Sequence, residues 1–189
     1  MVYINFECMS YEKNSCVSFR KTKESFGGLS NMCSGYSIRV GGNEFLTSEA
    51  LYQACRFNKN GEIQRLIQRE RSPMSAKMKS KKYRSEFTRL DWDEVRVDIM
   101  DWCLRMKLKC NWEKFGGLLL SLGDKEIIED SHKDRFWGCV LNDEGVFEGK
   151  NILGKLLVNL RDELKNGIIS KDDLKFKNIE GLKFFGEVA

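Results

Sequence analysis

The chain has 189 residues and a formal net charge of +4, with 41% hydrophobic and 32% charged residues. These values are typical of a soluble globular protein, most simply a single domain, with enough apolar material for a core. No apolar run approaches the ~18 residues of a membrane-spanning helix, and the N-terminus lacks the pattern of a signal peptide. This net charge is compatible with an anionic ligand but is too small to indicate an extensive nucleic-acid-binding surface.

The seven cysteines are scattered through the chain, and none forms a Cys-x-x-Cys pair. An odd number of dispersed thiols is typical of a reducing compartment and not of a disulfide framework or a zinc site. His132 is the only histidine, which disfavours a histidine-rich metal site and a Ser-His-Asp triad. We therefore expect a cytoplasmic protein that needs no metal.

The N-terminal part of the chain predicts short strands followed by a helix. Residues 36–40 and 44–46 flank two glycines and an asparagine, which indicates a hairpin. Thr47 is predicted to cap the helix that follows. Four polar residues recur on one face of this helix: Glu49, Tyr52, Gln53 and Arg56.

The middle of the chain is basic and then helical. Cations are concentrated in residues 62–87, where Pro73 is expected to interrupt any helix. The spacing of apolar residues predicts a helix over residues 92–110, in which Trp92 is the better pocket candidate and Trp102 belongs to the core. A second amphipathic helix is predicted over residues 113–122.

The C-terminal third predicts one short strand and one strong helix. Ile127 and Ile128 favour the strand, and Asn151 is expected to cap a helix that ends near Gly167. The lysine-rich tail that follows carries no firm prediction. Together these elements indicate an α+β fold weighted towards helix.

Two stretches combine a carboxylate, an aromatic ring and a cation, and each has a structural and a functional interpretation. The polar face of the first helix is either a solvent-exposed stripe with a Glu–Arg pair, or a site where Glu49 is kept ionised by unpaired first-turn amides. In the loop at residues 134–138, Asp134 either caps a turn beside a buried Trp137, or the Trp137 ring stacks on a base, an interaction worth ~1–3 kcal/mol.

Two further segments are candidates to contact phosphate. Residues 62–87 are either a solvated face or a polyanion contact, and amides near residues 149–155 are candidates to hold a phosphate.

These segments, in this order, resemble the NADAR domain family, which includes YbiA-like N-glycosidases. The matching segments are residues 26–31, 47–57, 72–78, 91–92, 105–107, 128–129, 134–138, 149–155 and 160–161. The resemblance covers residues 18–165 and implies a compact, helix-rich α+β domain of the NADAR type, with extensions at 1–17 and 166–189. It implies no cofactor.

The resemblance implies hydrolysis of N-glycosidic bonds and leaves three hypotheses open. The first is removal of ADP-ribose from the amino group of guanine in DNA or nucleotides, as antitoxin to a DarT-type toxin. The second is cleavage of ribosylamino-pyrimidine phosphate intermediates of riboflavin biosynthesis. The third is a non-catalytic module that binds a toxin or DNA. The basic stretch favours the first, because a polyanionic substrate suits it better than a small monophosphate.

The resemblance also implies a site, with Glu49 and Asp134 as paired carboxylates on opposite walls of one pocket. A carboxylate near the anomeric carbon stabilises the positive charge that develops during cleavage. The implied catalytic residues are Glu49, Asp134, Trp92 and Lys77, and the implied substrate-binding residues are Asn31, Tyr52, Gln53, Arg56, Lys107, Trp137, Gly138, Asn151 and Lys155. Arg56 stands where the family commonly has lysine. Because a guanidinium is a poor nucleophile, either Lys77 supplies a reactive amine or hydrolysis is direct.

Overall fold

The computed structural model describes residues 4–188, and this part of the chain combines helices with several small sheets, which confirms the predicted α+β class. The helices are α1 (Ser48–Cys55), α2 (Gly61–Gln68), α3 (Pro73–Lys81), α4 (Arg84–Phe87), α5 (Trp92–Cys110), α6 (Trp112–Ser121) and α7 (Ile152–Lys165). The strands are β1 (Met9–Glu12), β2 (Val17–Phe19), β3 (Ile38–Val40), β4 (Asn43–Phe45), β5 (Ile127–Glu129), β6 (Val140–Leu141), β7 (Val146–Gly149), β8 (Lys183–Phe184) and β9 (Glu187–Val188). The chain divides into two compact units, formed by residues 4–30 with 113–174 and by residues 31–112 with 175–188.

The first unit contains an antiparallel sheet, a parallel strand pair and two helices. In the sheet, β7 lies between β1 and β6, so that the segment before residue 18 contributes a strand. The parallel pair joins β2 to β5, with Val17 opposite Ile127. The apolar side of α7, which includes Leu156 and Leu160, is buried, and this helix packs against β5. The predicted strand at residues 127–128 and the final helix are confirmed.

Asn151 precedes α7 as predicted, but it does not cap the helix with its side chain. Its backbone has φ of 51°, in the left-handed region that asparagine tolerates better than most residues. The side-chain amide donates to Ile127 O at 2.8 Å and accepts from Glu129 N at 3.2 Å. The predicted side-chain cap is therefore wrong, because this amide hydrogen-bonds the backbone of β5 instead.

The second unit is organised around α1, which is buried along its whole length. Thr47 Oγ1 accepts a hydrogen bond from Ala50 N at 3.2 Å, which confirms the predicted N-cap. The helices α2, α3 and α5 all pack against α1. The interpretation of its polar face as a solvent-exposed stripe is therefore wrong.

Around α1, the structure confirms the predicted hairpin and corrects the expectation for Pro73. The hairpin is β3–β4, in which Ile38 pairs with Phe45. Pro73 does not interrupt a helix but begins α3, where the missing N–H costs no intrahelical hydrogen bond. Ser72 caps this helix by accepting from Ser75 N at 3.0 Å.

The C-terminal tail, for which the sequence carries no firm prediction, adds the hairpin β8–β9 to the second unit. The ring of Phe184 stacks on Trp102, with centroids 5.9 Å apart, and meets Phe45 edge-on at 5.8 Å. Gln64 Nε2 also donates to Lys183 O at 2.7 Å. Trp102 is accordingly a core residue, as predicted.

The described part of the chain contains no helix with both the length and the apolar character needed to cross a membrane. All seven cysteines are free thiols.

Candidate active site

Glu49 lies in the first turn of α1 with its carboxylate enclosed, since the residue is only 7% exposed. Its backbone N–H donates to Asn31 O at 3.0 Å, and the next amide is capped by Thr47. These first-turn amides are therefore already paired, which corrects the expectation that unpaired N–H groups surround Glu49. The helix dipole still favours a negative charge at this position.

Side chains of two helices contact the Glu49 carboxylate. Oε1 accepts a hydrogen bond from Gln53 Nε2 at 2.9 Å, one turn along α1. The same oxygen lies 3.8 Å from Lys77 Nζ on α3, and the Lys77 side chain is half exposed. The expected Glu–Arg pair along α1 is thus replaced by an ion pair with a neighbouring helix.

Two residues that the sequence did not single out fix the orientation of Gln53. Its Oε1 accepts from Ser80 Oγ at 2.6 Å and from Arg84 Nη2 at 2.9 Å, and Arg84 Nε also donates to Ser80 Oγ at 3.3 Å. A guanidinium has only donors, so the amide oxygen of Gln53 must face Arg84 and its NH₂ must face Glu49. The Glu49 oxygen is consequently the acceptor of this hydrogen bond.

Tyr52 of α1, Arg56 directly after α1 and Trp92 at the start of α5 form a stack. The Trp92 and Tyr52 ring centroids are 5.1 Å apart, and the Arg56 guanidinium carbon lies 3.9 Å from the centroid of Trp92. Burial and the neighbouring Arg84 cation lower the pKa of Arg56 to about 10, and burial raises the pKa of Tyr52. Trp92 is only 4% exposed, so little of its ring surface is free for a ligand. Its contact with the guanidinium instead orients the Arg56 side chain.

Two further predicted residues of this unit are buried. Asn31 Nδ2 contacts Met100 Sδ at 3.0 Å, and its Oδ1 has no hydrogen-bond partner. Lys107 is fully buried, with Nζ 4.7 Å from the centroid of the Tyr36 ring. Both contacts are structural, and a role for either residue in substrate binding stays a prediction.

In the first unit, Asp134 caps a turn at the surface. Its Oδ1 accepts from Phe136 N at 2.8 Å and from Trp137 N at 2.9 Å, and its own N–H donates to Ser131 Oγ at 3.0 Å. One carboxylate oxygen therefore orders the loop that carries Trp137. The catalytic role of Asp134 stays a prediction, and it would require the other carboxylate oxygen, Oδ2.

The loop at residues 134–138 is held against the start of α7. Ile152 N donates to Phe136 O at 3.1 Å, and Leu153 N donates to Trp137 O at 3.0 Å. These amides are occupied, so the start of α7 does not present them to a phosphate, contrary to expectation. A Cβ on Gly138 would lie 2.3 Å from Glu129 O, so only glycine fits at this position.

Asn151 and Lys155 also have partners within the first unit. Asn151 is fully buried against β5. Lys155 Nζ donates to Asn5 O at 2.8 Å and to Glu7 O at 3.3 Å, and burial lowers its pKa. It also lines an open cleft of about 220 Å³. Binding of substrate by these two residues stays a prediction.

The predicted site residues are divided between the two units. The second unit contains Asn31, Glu49, Tyr52, Gln53, Arg56, Lys77, Trp92 and Lys107, and the first contains Asp134, Trp137, Gly138, Asn151 and Lys155. The structure brings together Glu49, Gln53 and Lys77, and separately Tyr52, Arg56 and Trp92. That Glu49 and Asp134 line one pocket stays a prediction. Among the residues that the structure describes, no group of three or more His, Cys, Asp or Glu side chains is arranged to hold a metal ion.

Residues 18–165 match the model of the NADAR domain. The chain belongs to the NADAR domain family. The N-glycosidase YbiA of Escherichia coli (strain K12) is 32% identical over 152 residues, which cover 80% of this chain and 90% of that protein. An N-glycosidase of Nostoc punctiforme is also 32% identical, over 79% of this chain and 93% of its own length.

A riboflavin biosynthesis protein of Vibrio vulnificus is 35% identical over 151 residues, but the chain spans only 38% of that protein's length. The NMR structure of E. coli YbiA superposes with a TM-score of 0.68 at 31% identity, covering 82% of this chain and 87% of that one. The predicted family, the fold and the N-glycosidase class of enzyme are therefore confirmed.

Proposed function

We propose that this member of the NADAR family removes ADP-ribose from the amino group of guanine in DNA or nucleotides, as antitoxin to a DarT-type ADP-ribosyltransferase. One observation supports this choice above the others: the enclosed Glu49 carboxylate contacts α3, a helix with three lysines and no acidic residue. Residues 62–87 contribute further exposed cations on α2, α3 and the segments that follow them, namely Arg65, Arg69, Arg71, Lys77, Lys81 and Lys82. A lysine beside the carboxylate, on a helix that carries two more lysines, suits a substrate with several phosphates.

In this mechanism, Glu49 acts on the anomeric carbon of the ribose. The leaving guanine amine takes the bonding electrons, so positive charge develops on that carbon, and an ionised carboxylate nearby lowers the barrier. Water adds to the carbon and gives up a proton, while the amine acquires one from the second carboxylic acid, Asp134, which the proton from water restores. Lys77 meets phosphate charge and balances the charge of Glu49.

The test is release of ADP-ribose from an oligonucleotide that carries one ADP-ribosylated guanine. We expect wild-type protein to release it, and Glu49→Gln to lower the rate constant by about a hundredfold or more. Glu62→Gln is the matched control, because it removes the same charge from an exposed position in the first turn of α2. Absence of release by wild-type protein, or equal rates for wild type and Glu49→Gln, would overturn the proposal.

Cleavage of riboflavin-biosynthesis intermediates is the second candidate, since two relatives are named riboflavin biosynthesis proteins. They are the Vibrio vulnificus protein and a chloroplastic protein of Zea mays, which is 33% identical over 175 residues but of which the chain spans 27%. Release of ribose 5-phosphate from a ribosylamino-pyrimidine phosphate by purified protein tests this candidate. Tight binding of either substrate without turnover, unchanged by Glu49→Gln, would instead indicate a non-catalytic module.

The proposed antitoxin acts in the cytoplasm on DNA or free nucleotides, and a DarT-type toxin is its proposed partner. The seven free thiols support a reducing compartment. Co-expression with such a toxin tests the partnership, because wild-type protein should restore growth and Glu49→Gln should not.

A further inference from the structure

The C-terminal tail contributes a strap, residues 179–185, that lies outside the NADAR match but belongs to the second unit. Its Leu182 and Phe184 side chains are buried. Three side chains from the matched part of the chain each donate to a main-chain oxygen of the strap. These hydrogen bonds join Asn58 Nδ2 to Gly181 O at 3.1 Å, Gln64 Nε2 to Lys183 O at 2.7 Å and Arg89 Nη2 to Glu180 O at 2.7 Å. The family domain therefore fixes the course of the strap.

Arg89 connects the strap to the start of α5. It lies between α4 and α5, and the residue is only 6% exposed. Its guanidinium donates to both carboxylate oxygens of Asp91, from Nε at 2.7 Å and from Nη2 at 2.8 Å, and this pairing lowers the pKa of Asp91. Because the same Nη2 also donates to Glu180 O, one side chain holds Asp91 and the strap together.

The main chain of Arg89 is hydrogen-bonded to Arg56 and to Trp92, the two members of the cation–π contact. Its N–H donates to Arg56 O at 2.9 Å, and its carbonyl oxygen accepts from Trp92 N at 3.2 Å. The Arg56 guanidinium carbon in turn lies 3.9 Å from the centroid of the Trp92 ring. A displacement of Arg89 therefore moves the main chain on both sides of this contact.

We propose that Arg89 is a positioning residue through which the strap sets the spacing of Arg56 and Trp92, and with it the geometry of this part of the candidate site. The inference rests on the proposed function only in placing the reaction beside these residues, and it holds for any N-glycoside substrate. The planar guanidinium directs two parallel N–H groups at a carboxylate while the second hydrogen on Nη2 meets a carbonyl oxygen, whereas a lysine ammonium is a single point charge. A segment outside the family domain thereby determines the geometry of the site.

The surroundings of Trp92 are measured by ¹⁹F NMR of protein labelled with 5-fluorotryptophan, in which the Trp92 signal is the one that Trp92→Phe removes. Arg89→Lys keeps the charge but cannot keep all three hydrogen bonds, so we expect the Trp92 signal to move. Leu182→Ala weakens the docking of the strap from its own side and should move the same signal. If the strap acts through Arg89, the effect of Leu182→Ala should largely vanish when Arg89→Lys is already present.

Arg105→Lys is the matched control. Arg105 is also buried and also binds an aspartate and a tail oxygen, Asp101 Oδ2 at 2.7 Å and Lys175 O at 3.3 Å, but it lies about 20 Å further along α5 than Trp92. We expect both lysine variants to melt at a lower temperature than wild type. Only Arg89→Lys should shift the Trp92 signal and raise KM for the glycoside substrate, by about three- to tenfold with little change in kcat.

An unmoved Trp92 signal in Arg89→Lys, or equal shifts in Arg89→Lys and Arg105→Lys, would overturn the inference. Additive effects of Leu182→Ala and Arg89→Lys would overturn it as well, because the strap would then act by another route. Where Arg89→Lys or Leu182→Ala does not fold, Asp91→Asn or Leu182→Val takes its place with the same expectations.

The outcome is separable from the proposed function, because the NMR measurement requires no turnover. A shifted Trp92 signal in Arg89→Lys, with no release of ADP-ribose by wild-type protein, would sink only the proposed substrate. Release of ADP-ribose with the same KM in wild type and Arg89→Lys would sink only the positioning role.

Discussion

Replacing Gln53 by glutamate isolates one hydrogen bond of the candidate site. In wild type, the Gln53 amide donates to the Glu49 carboxylate at 2.9 Å while its oxygen accepts from Ser80 and Arg84. In Gln53→Glu, a carboxylate oxygen still accepts from both donors, so the buried hydroxyl and the guanidinium keep their partner. Only the contact with Glu49 changes: the amide that donates a hydrogen bond to this carboxylate is replaced by a second negatively charged group.

The magnitude follows from the hydrogen bond that is lost. A hydrogen bond to a charged group contributes about 1.5–3 kcal/mol, and a second carboxylate at this separation repels Glu49 where the amide donated to it. If the ionised and oriented Glu49 is needed in the transition state, kcat should fall by about ten- to a hundredfold, since each 1.36 kcal/mol is tenfold in rate. KM should change little, because the contact is made with Glu49 and not with the substrate.

The assay compares steady-state ADP-ribose release and melting temperature for wild type, Gln53→Glu and Gln53→Met. The methionine variant leaves the buried Ser80 hydroxyl and Arg84 without an acceptor, so it should lose about 1–3 kcal/mol of unfolding free energy in addition to activity. Gln68→Glu, the same change in a side chain that donates to Glu44 O, is the control. Unchanged kcat in Gln53→Glu, or an equal loss in Gln68→Glu, would refute the proposed positioning of Glu49.

Three further predictions concern other parts of the chain. Gly138→Ala should lower the melting temperature, because its Cβ would meet a main-chain oxygen at 2.3 Å, whereas Gly117→Ala has open space in α6 and should raise stability by about 0.5–1 kcal/mol. Burial raises the pKa of Tyr11 from 10.0 to about 12, so its contribution to stability is lost as pH rises through that range, and Tyr11→Phe should flatten the fall seen in unfolding curves. Lys81→Glu combined with Lys82→Glu should lower kcat/KM for the DNA adduct and weaken its salt dependence, with little effect on the free nucleotide.

Each of these three predictions would be contradicted by a specific result. Equal melting temperatures for the two alanine variants would show that the backbone yields at Gly138. If the unfolding free energy of Tyr11→Phe falls with rising pH as steeply as that of wild type, groups other than Tyr11 cause the fall. If the double lysine variant loses the same factor in kcat/KM on the DNA adduct and on the free nucleotide, Lys81 and Lys82 do not make a DNA-specific contact.

Local chemistry made part of the fold predictable from the sequence. The Thr47 cap and the β3–β4 hairpin depend on a few neighbouring residues and their turn preferences. The helix from Trp92 to Cys110 follows from apolar spacing along one segment. Pro73 shows the limit of such rules, because proline is tolerated in a first turn and disruptive only further along, and the pattern did not show where α3 begins.

The candidate site was less predictable, because hydrogen bonds between distant segments determine it. Asn151 has the residue type of a cap, yet its amide binds β5. Ser80 and Arg84 carry no motif of their own, and they matter only because α3 and α4 bring them to Gln53. No spacing along the chain indicates such a partner.

The sequence by itself determined the family, the order of the main elements and the residue types on the polar face of α1. Only the tertiary structure decided that this face is buried, that Lys77 and not Arg56 pairs with Glu49, and that Gln53 presents its NH₂ to the carboxylate. The physical reason is that residue spacing sets which side chains share a helix face. Burial, charge pairing and amide orientation depend instead on which other helices pack against that face.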